Sequence, residues 1–161
     1  AYPQARRSVR YAFHKQDSFD RARLRDFAAA LPGGYALRRM DESLYHLAAQ
    51  EEWSRDLVSQ YPVWENYAAH GMGYAVLQDG ALVCGASSYA DWPDGIEIEI
   101  DTHPAHRRRG LARACAAALM LDCLSRGLHP SWDAANGVSA HLAQTLGYVP
   151  AGAYPVYEWM L

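Results

Sequence analysis

The segment GIEIEIDT, residues 95–102, sets isoleucine against acid: Ile96, Ile98 and Ile100 fall on one face, Glu97, Glu99 and Asp101 on the other. A period of two marks an extended strand with one buried face, because successive side chains point to opposite sides. Shortly after it the pattern changes. GLARACAAALMLDCLSRG, residues 110–127, is rich in alanine and leucine and free of proline, which predicts a helix that is apolar around most of its circumference. Such a helix has to be buried against a sheet, so this strand and helix together restrict the chain to an architecture mixing both elements.

The flanking sequence extends the same reading. SVRYAFHK alternates as a short strand, and DSFDRARLRDFAAALPGG reads as a helix capped by Asp17 or Ser18 and stopped by LPGG. YALRRM is a second strand. From Asp41 to Gly71, Leu44, Tyr45, Leu47, Trp53, Leu57, Trp64 and Tyr67 recur at helical spacing with a break at Pro62, which predicts two or three short helices. GYAVLQDGALVCGASSYA is two apolar runs joined by Asp79-Gly80, a hairpin signature because both residues tolerate positive φ. HPSWDA reads as one short strand, GVSAHLAQTLG as an amphipathic helix, and YVPAGAYPVYEWML as a hairpin-like end. The expected class is α/β (α+β), a mixed and mostly antiparallel sheet with helices on both faces.

Composition narrows the partners. Of 161 residues half are hydrophobic and one in five is charged, which is globular, and the net charge of -3 disfavours a surface built to coat nucleic acid. No apolar run reaches the length of a membrane span, and AYPQARRSVR has no apolar signal-peptide core, so the chain reads as soluble and cytoplasmic. Cys84, Cys115 and Cys123 lie inside apolar stretches without a CxxC pair and read as buried, reduced thiols. Seven histidines invite a metal, yet His103 and His106 are joined by no cysteine or HExxH pattern, so none is expected.

The junction between strand and helix carries the chemistry. HPAHRRRGLARA, residues 103–114, puts three arginines and a glycine at a helix start, where free backbone N–H groups and the positive end of the helix dipole attract anions. Charge alone would make RRRG a solvated basic turn; the flanking strand and helix favour a phosphate or pyrophosphate site. The sequence is neither a P-loop nor GxGxxG.

Arg107-Arg108-Arg109-Gly110-Leu111-Ala112 resembles the R/Q-x-x-G-x-G/A signature of the GCN5-related N-acetyltransferases, the GNAT superfamily, and stands after the strand where that family has it. Asn136, Ser139 and LAQTLGY resemble the family's second signature. The resemblance looks closest to the branch of zwittermicin-A-resistance acetyltransferases. It implies a GNAT-like sheet whose parallel central strands splay to admit acetyl-CoA. Carried over by position, Arg107, Arg108, Arg109, Gly110, Leu111 and Ala112 cradle the pyrophosphate, with Arg113 assisting. The backbone of Ile100, Asp101 and Thr102 pairs with the pantetheine arm and polarises the thioester carbonyl, and Asn136, with Ser139, holds the far side.

The implied reaction is direct attack of an amine on the thioester, with no metal. A carboxylate must take the ammonium proton. Glu97 is the first candidate, Glu99 the second and Asp133 the third, although an acidic strand face and a helix cap are equally ordinary readings of these residues. The tyrosine that many family members use to protonate the thiolate is Ala143 here; Tyr157 or Tyr154 could substitute, while Tyr148 reads as core. Trp53, Trp64, Trp92, Trp132 and Trp159 read as core rather than as a substrate box, yet Trp53 and Tyr67 fall in the early helical region that, by the same resemblance, walls the acceptor site, and Glu51, Glu52 and Asp56 there could attract a cationic amine.

The expected acceptor is a small-molecule primary amine such as an aminopolyol or antibiotic. The alternatives are a protein N-terminus or lysine, or a non-catalytic acyl-CoA-binding module. Assembly stays open between monomer and homodimer. Residues 1–33 are expected to be a strand and helix left from an upstream half, with residues 34–161 the acetyltransferase domain.

Overall fold

Asp79 and Gly80 take φ of 50° and 79° and turn β3 (Gly73–Gln78) back onto β4 (Ala81–Trp92), as the dipeptide predicts. In the computed structural model, which describes residues 4–159, this hairpin is the centre of a five-stranded sheet ordered β2-β3-β4-β5-β6. Its other strands are β2 (Tyr35–Arg39), β5 (Gly95–Thr102) and β6 (His129–Ser131). The β2, β3, β4 and β5 neighbours pair antiparallel. A second sheet of three antiparallel strands is ordered β7-β1-β8, from β1 (Ala5–Phe13), β7 (Asp133–Ala134) and β8 (Pro150–Trp159). The chain divides into two compact units, Asp20–Pro130 and the flanking residues through Phe19 and from Ser131 onward.

In the larger unit, helices cover both faces of the sheet. Helix α4 (Leu111–Ser125) buries Leu111, Ala114 through Met120 and Cys123, as its all-round apolar character requires. The Cys115 thiol donates to the Tyr74 carbonyl of β3 at 3.0 Å, and α1 (Arg21–Ala28) packs beside α4 with Leu24 fully buried. Asp122, polar in an apolar helix, accepts from Arg126 Nε at 2.8 Å and from the Tyr74 hydroxyl at 3.2 Å. The other core gathers Leu44, Tyr45 and Ala48 of α2 (Glu42–Gln50) and Leu57 of a 3-10 turn (Arg55–Leu57). Tyr67 of α3 (Trp64–His70) completes it beneath Ala75 and Leu77. The three cysteines are free and buried, as their surroundings predict. No helix among the described residues is long and apolar enough to cross a membrane.

Four sequence expectations need correction. The cap of α1 is Asp20, whose carboxylate accepts from the Arg23 amide at 3.1 Å, rather than Asp17 or Ser18. HPSWDA is not one strand: it breaks at Trp132 into β6 and β7, which belong to different sheets. The C-terminal segment is no hairpin, since β8 runs unbroken and pairs with β1 from Ala5↔Trp159 to Phe13↔Pro150. Gly152, at φ 130°, sits beside a register shift in that ladder and not in a reversal; the segment's last two residues lie outside the described range. Finally, Trp92 and Trp159 are exposed, not core.

Candidate active site

The two faces of β5 separate as its sequence dictates. Ile96 and Ile98 are buried, while Glu97, Glu99 and Asp101 lie on the other face, opposite Ala90, Ser87 and Gly85 of β4. Leu57 packs so tightly over this face that a Cβ on Gly85 would meet its Cδ1 at 2.5 Å. Under that cover Asp101 Oδ2 is buried without a hydrogen-bond partner. Burial pushes the Asp101 carboxyl above its usual range, against the hydrogen bond it shares with Glu99, and the nearby Asp56 charge pushes it further up. A carboxyl held in this way takes up a proton more readily than an exposed one, because burial disfavours its charged form. The alternation of β5 gives no sign that the Asp101 side chain would be buried, and the sequence resemblance assigns a role to its backbone alone.

Past Thr102 the chain makes a second 3-10 turn (Pro104–His106), capped by His103 Nδ1, which accepts from the Ala105 amide at 3.1 Å. Then Arg108 takes φ 62° and Gly110 φ 74°. Left-handed residues in a turn bring successive N–H groups to one side, a concavity that suits anions. Among the described residues no side chain caps the start of α4, so the amides of its first turn have no intrahelical partner.

Arg113 adds a cation. Its guanidinium lies over the Phe27 ring of α1, 4.7 Å from the centroid, and its Nη2 stands 3.6 Å from where a Cβ on Gly110 would sit. Its Nε is buried with no acceptor. An unmet buried donor costs about 1–3 kcal/mol, so the cradle is short of an acceptor that a bound phosphate oxygen would supply. The residues present therefore fit an anion such as a pyrophosphate.

Arg109 points elsewhere. Its Nη1 donates to the Tyr35 hydroxyl of β2 at 2.6 Å, and that hydroxyl lies 2.9 Å from His106 Nδ1. The His106 ring packs edge-on to Tyr35 and to His103, and His103 in turn meets the ring of Trp53, whose Nε1 donates to Glu51 at 2.7 Å. β6 is only three residues long against eight in β5, and its His129 amide donates to the Asp94 carbonyl just before β5 begins. The edge of β5 toward Ile100, Asp101 and Thr102 therefore runs on past its β6 partner. Tyr67 is a correction to the acceptor-wall expectation: it is 2% exposed, in the core, with its hydroxyl 2.7 Å from Ser87 Oγ.

The smaller unit holds Asp133, Asn136, Ser139 and Tyr157. Asp133 Oδ1 accepts from Arg10 Nε at 2.6 Å, and its Oδ2 accepts from the Tyr154 hydroxyl. That bond to Asp133 raises the Tyr154 hydroxyl above its usual value. Both carboxylate oxygens are thus engaged within the sheet, and the cap of α5 (Gly137–Leu146) is Asn136, accepting from the Ser139 amide at 2.9 Å. Ser139 Oγ accepts from Trp132 Nε1 at 3.2 Å. Tyr157 is exposed on β8 opposite Arg7, Ala143 is fully buried, and Tyr148 packs on Phe13, Phe19 and Trp132.

The chain is a mixed α/β protein in which a strand, an arginine-rich turn and an uncapped helix start follow one another. The chain belongs to the GNAT acetyltransferase family, whose model matches residues 2–157. It is 46% identical to a GCN5-related N-acetyltransferase-like protein from Streptococcus suis, with a TM-score of 0.95 over 98% of this chain and 64% of that one. It is 32% identical over 135 residues to the uncharacterized N-acetyltransferase YdfB of Bacillus subtilis, across 79% of this chain and 49% of YdfB. The L-amino acid N-acyltransferase MnaT of Escherichia coli is 27% identical over 121 residues, 70% of each protein. The chain therefore spans about half the length of YdfB and under two thirds of the Streptococcus suis protein.

Proposed function

We propose that this protein binds acetyl-CoA and transfers its acetyl group directly to a primary amine of a small molecule. The observation that carries the reading is the α4 cradle, with left-handed Arg108 and Gly110, uncapped first-turn amides and the buried, unpaired Nε of Arg113. In this reading the backbone amides of Arg107 through Ala112 and the side chain of Arg113 hold the pyrophosphate, with the Arg109 side chain turned to Tyr35, and the edge of β5 at Ile100, Asp101 and Thr102 takes the pantetheine. Asn136 and Ser139 contribute from the second signature. Acetyl-CoA supplies an activated thioester. The chain's own task is to orient the amine and remove its proton.

Glu97 is the first candidate for that proton and Glu99 the second; the raised carboxyl of Asp101, hydrogen-bonded to Glu99, adds a group the sequence did not suggest. The engagement of Asp133 with Arg10 and Tyr154 favours a structural role for it over that of a base. With a buried alanine at the usual tyrosine position, solvent or Tyr157 protonates the leaving thiolate, whose thiol has an ordinary pKa of about 8.5.

The acceptor divides into finer readings. The relative MnaT, by its name, acts on L-amino acids, which makes an α-amino group one acceptor class; the resemblance to the zwittermicin-A-resistance branch makes an aminopolyol another. The net charge of -3 disfavours nucleic acid, and a homodimer is the assembly to look for by light scattering.

The test has two stages. Thermal shift with coenzyme A, acetyl-CoA and DNA should give stabilisation by the first two only, since a ligand of the native state raises its apparent stability; stabilisation by DNA alone sinks the reading. Mass spectrometry of amino acids, aminopolyols, aminoglycosides and lysine peptides incubated with enzyme and acetyl-CoA then identifies the acceptor. Binding without any acetylated product would leave an acyl-CoA-binding module.

A further inference from the structure

The proposed cradle contains three consecutive arginines, and one of them is turned away. Arg109 Nη1 donates to Tyr35 Oη at 2.6 Å across 74 residues of sequence. Because the guanidinium donates to that oxygen, the phenol's own hydrogen is free for His106 Nδ1, 2.9 Å away. His106 closes the 3-10 turn that leads into the loop, so one hydroxyl on β2 ties both ends of the segment from His106 to Arg109.

The segment between those ties needs holding. Arg108, at φ 62°, carries a side chain in the left-handed region, and Gly110 follows at φ 74°. For a residue with a Cβ that region is strained, so an untied loop would relax and turn its amides away. The edge-to-face rings of Tyr35, His106, His103 and Trp53 continue the support from the 3-10 turn toward the residues after α2.

We infer that Tyr35 is a positioning residue for coenzyme A: acting through Arg109 and His106, it fixes the arginine loop in its anion-ready conformation and withdraws Arg109 from the phosphates. The inference rests on the proposed cofactor role of the loop. It divides the arginine run into members that face the ligand and one that braces the backbone. Preorganisation of this kind appears in affinity, because the loop no longer has to be ordered when the ligand arrives.

The experiment is isothermal titration of coenzyme A into the full chain, the Y35F and R109A variants and the double variant, with a melting curve for each. Y35F should weaken binding about five- to tenfold, the scale of one net hydrogen bond, while its melting temperature stays close to that of the parent. Adding R109A to Y35F should produce little further loss, because Y35F already cuts both of the loop's ties to β2. Unchanged binding in Y35F, or losses that add fully in the double variant, would overturn the inference. A parent protein that does not bind coenzyme A at all would instead refute the proposed function.

Discussion

Helix α4 starts on a left-handed glycine with its first amides uncapped, whereas α5 starts on Asn136, whose side chain closes onto the Ser139 amide. Both lie at positions that carry family signatures, and both helices are of ordinary amphipathic or apolar composition. The difference lies in what satisfies the orphan N–H groups that every helix start leaves. At α5 the chain does so itself, which stabilises the helix and spends the Asn136 oxygen. At α4 it leaves them open and adds a guanidinium whose buried Nε also lacks an acceptor. Stability and ligand affinity should therefore respond in opposite ways to substitutions at the two starts.

The largest effect is expected at Gly110. Gly110→Val forces a branched side chain into the left-handed region; stability should fall by about 1–2 kcal/mol, and coenzyme A affinity by about a hundredfold in titration calorimetry. Arg108→Ala should weaken binding much less. Equal losses would move the holding from backbone to side chain. Next is Arg113→Met, which removes the orphaned Nε while keeping apolar bulk against Phe27. Affinity should drop about tenfold and the melting temperature should hold or rise, since the apo protein is relieved of an unmet buried donor. A fall in both would show that Arg113 is structural.

Asn136→Ala should cost about 1 kcal/mol of stability in denaturant unfolding through loss of the cap. Asn136→Asp keeps the cap and discards the Nδ2 donor, so its stability should match the parent while coenzyme A binding weakens severalfold. Unchanged binding would confine Asn136 to capping. The smallest effect concerns Asp101. Its carboxyl is raised by burial in the folded chain, so the acid form is the favoured one, and stability is lost as pH rises through that raised value. Asp101→Asn should melt about 1–2 °C higher than the parent above the carboxylate range, with the gap closing below about pH 4. A gap that widens in acid would reverse the sign.

The elements that define the larger unit were readable because each carries a local period or a local turn: the isoleucine alternation of β5, the alanine run of α4, the Asp79-Gly80 reversal. The misreadings share a cause as well. Pro155 and Gly152 look like turn residues, but pairing with β1 over nine residues keeps β8 extended. Trp132 interrupts an otherwise plausible strand because the chain changes sheets there. In the candidate site, the glycine cradle was legible as a motif, whereas the Tyr35 tie and the orphaned oxygen of Asp101 arise from residues far apart in sequence. No window of neighbouring residues contains Tyr35 and Arg109 together. The smaller unit gave the weakest reading, because its polar partners, Arg10, Asp133 and Tyr154, meet only once three strands have paired.

The burial of all three cysteines gives the molecule a chemically silent surface. Burial pushes the Cys123 thiol up to about 12 and Cys115 well above the usual range, so neither supplies a thiolate at neutral pH; the hydrogen bond with Cys115 draws the Cys84 thiol down, and complete enclosure is what shields it from reagents. A thiol-reactive dye added to the folded chain should therefore stay dark, and any colour that develops with acetyl-CoA and an amine would report the coenzyme released at each turnover. The same dye reads unfolding, since a denatured chain presents three thiols at once.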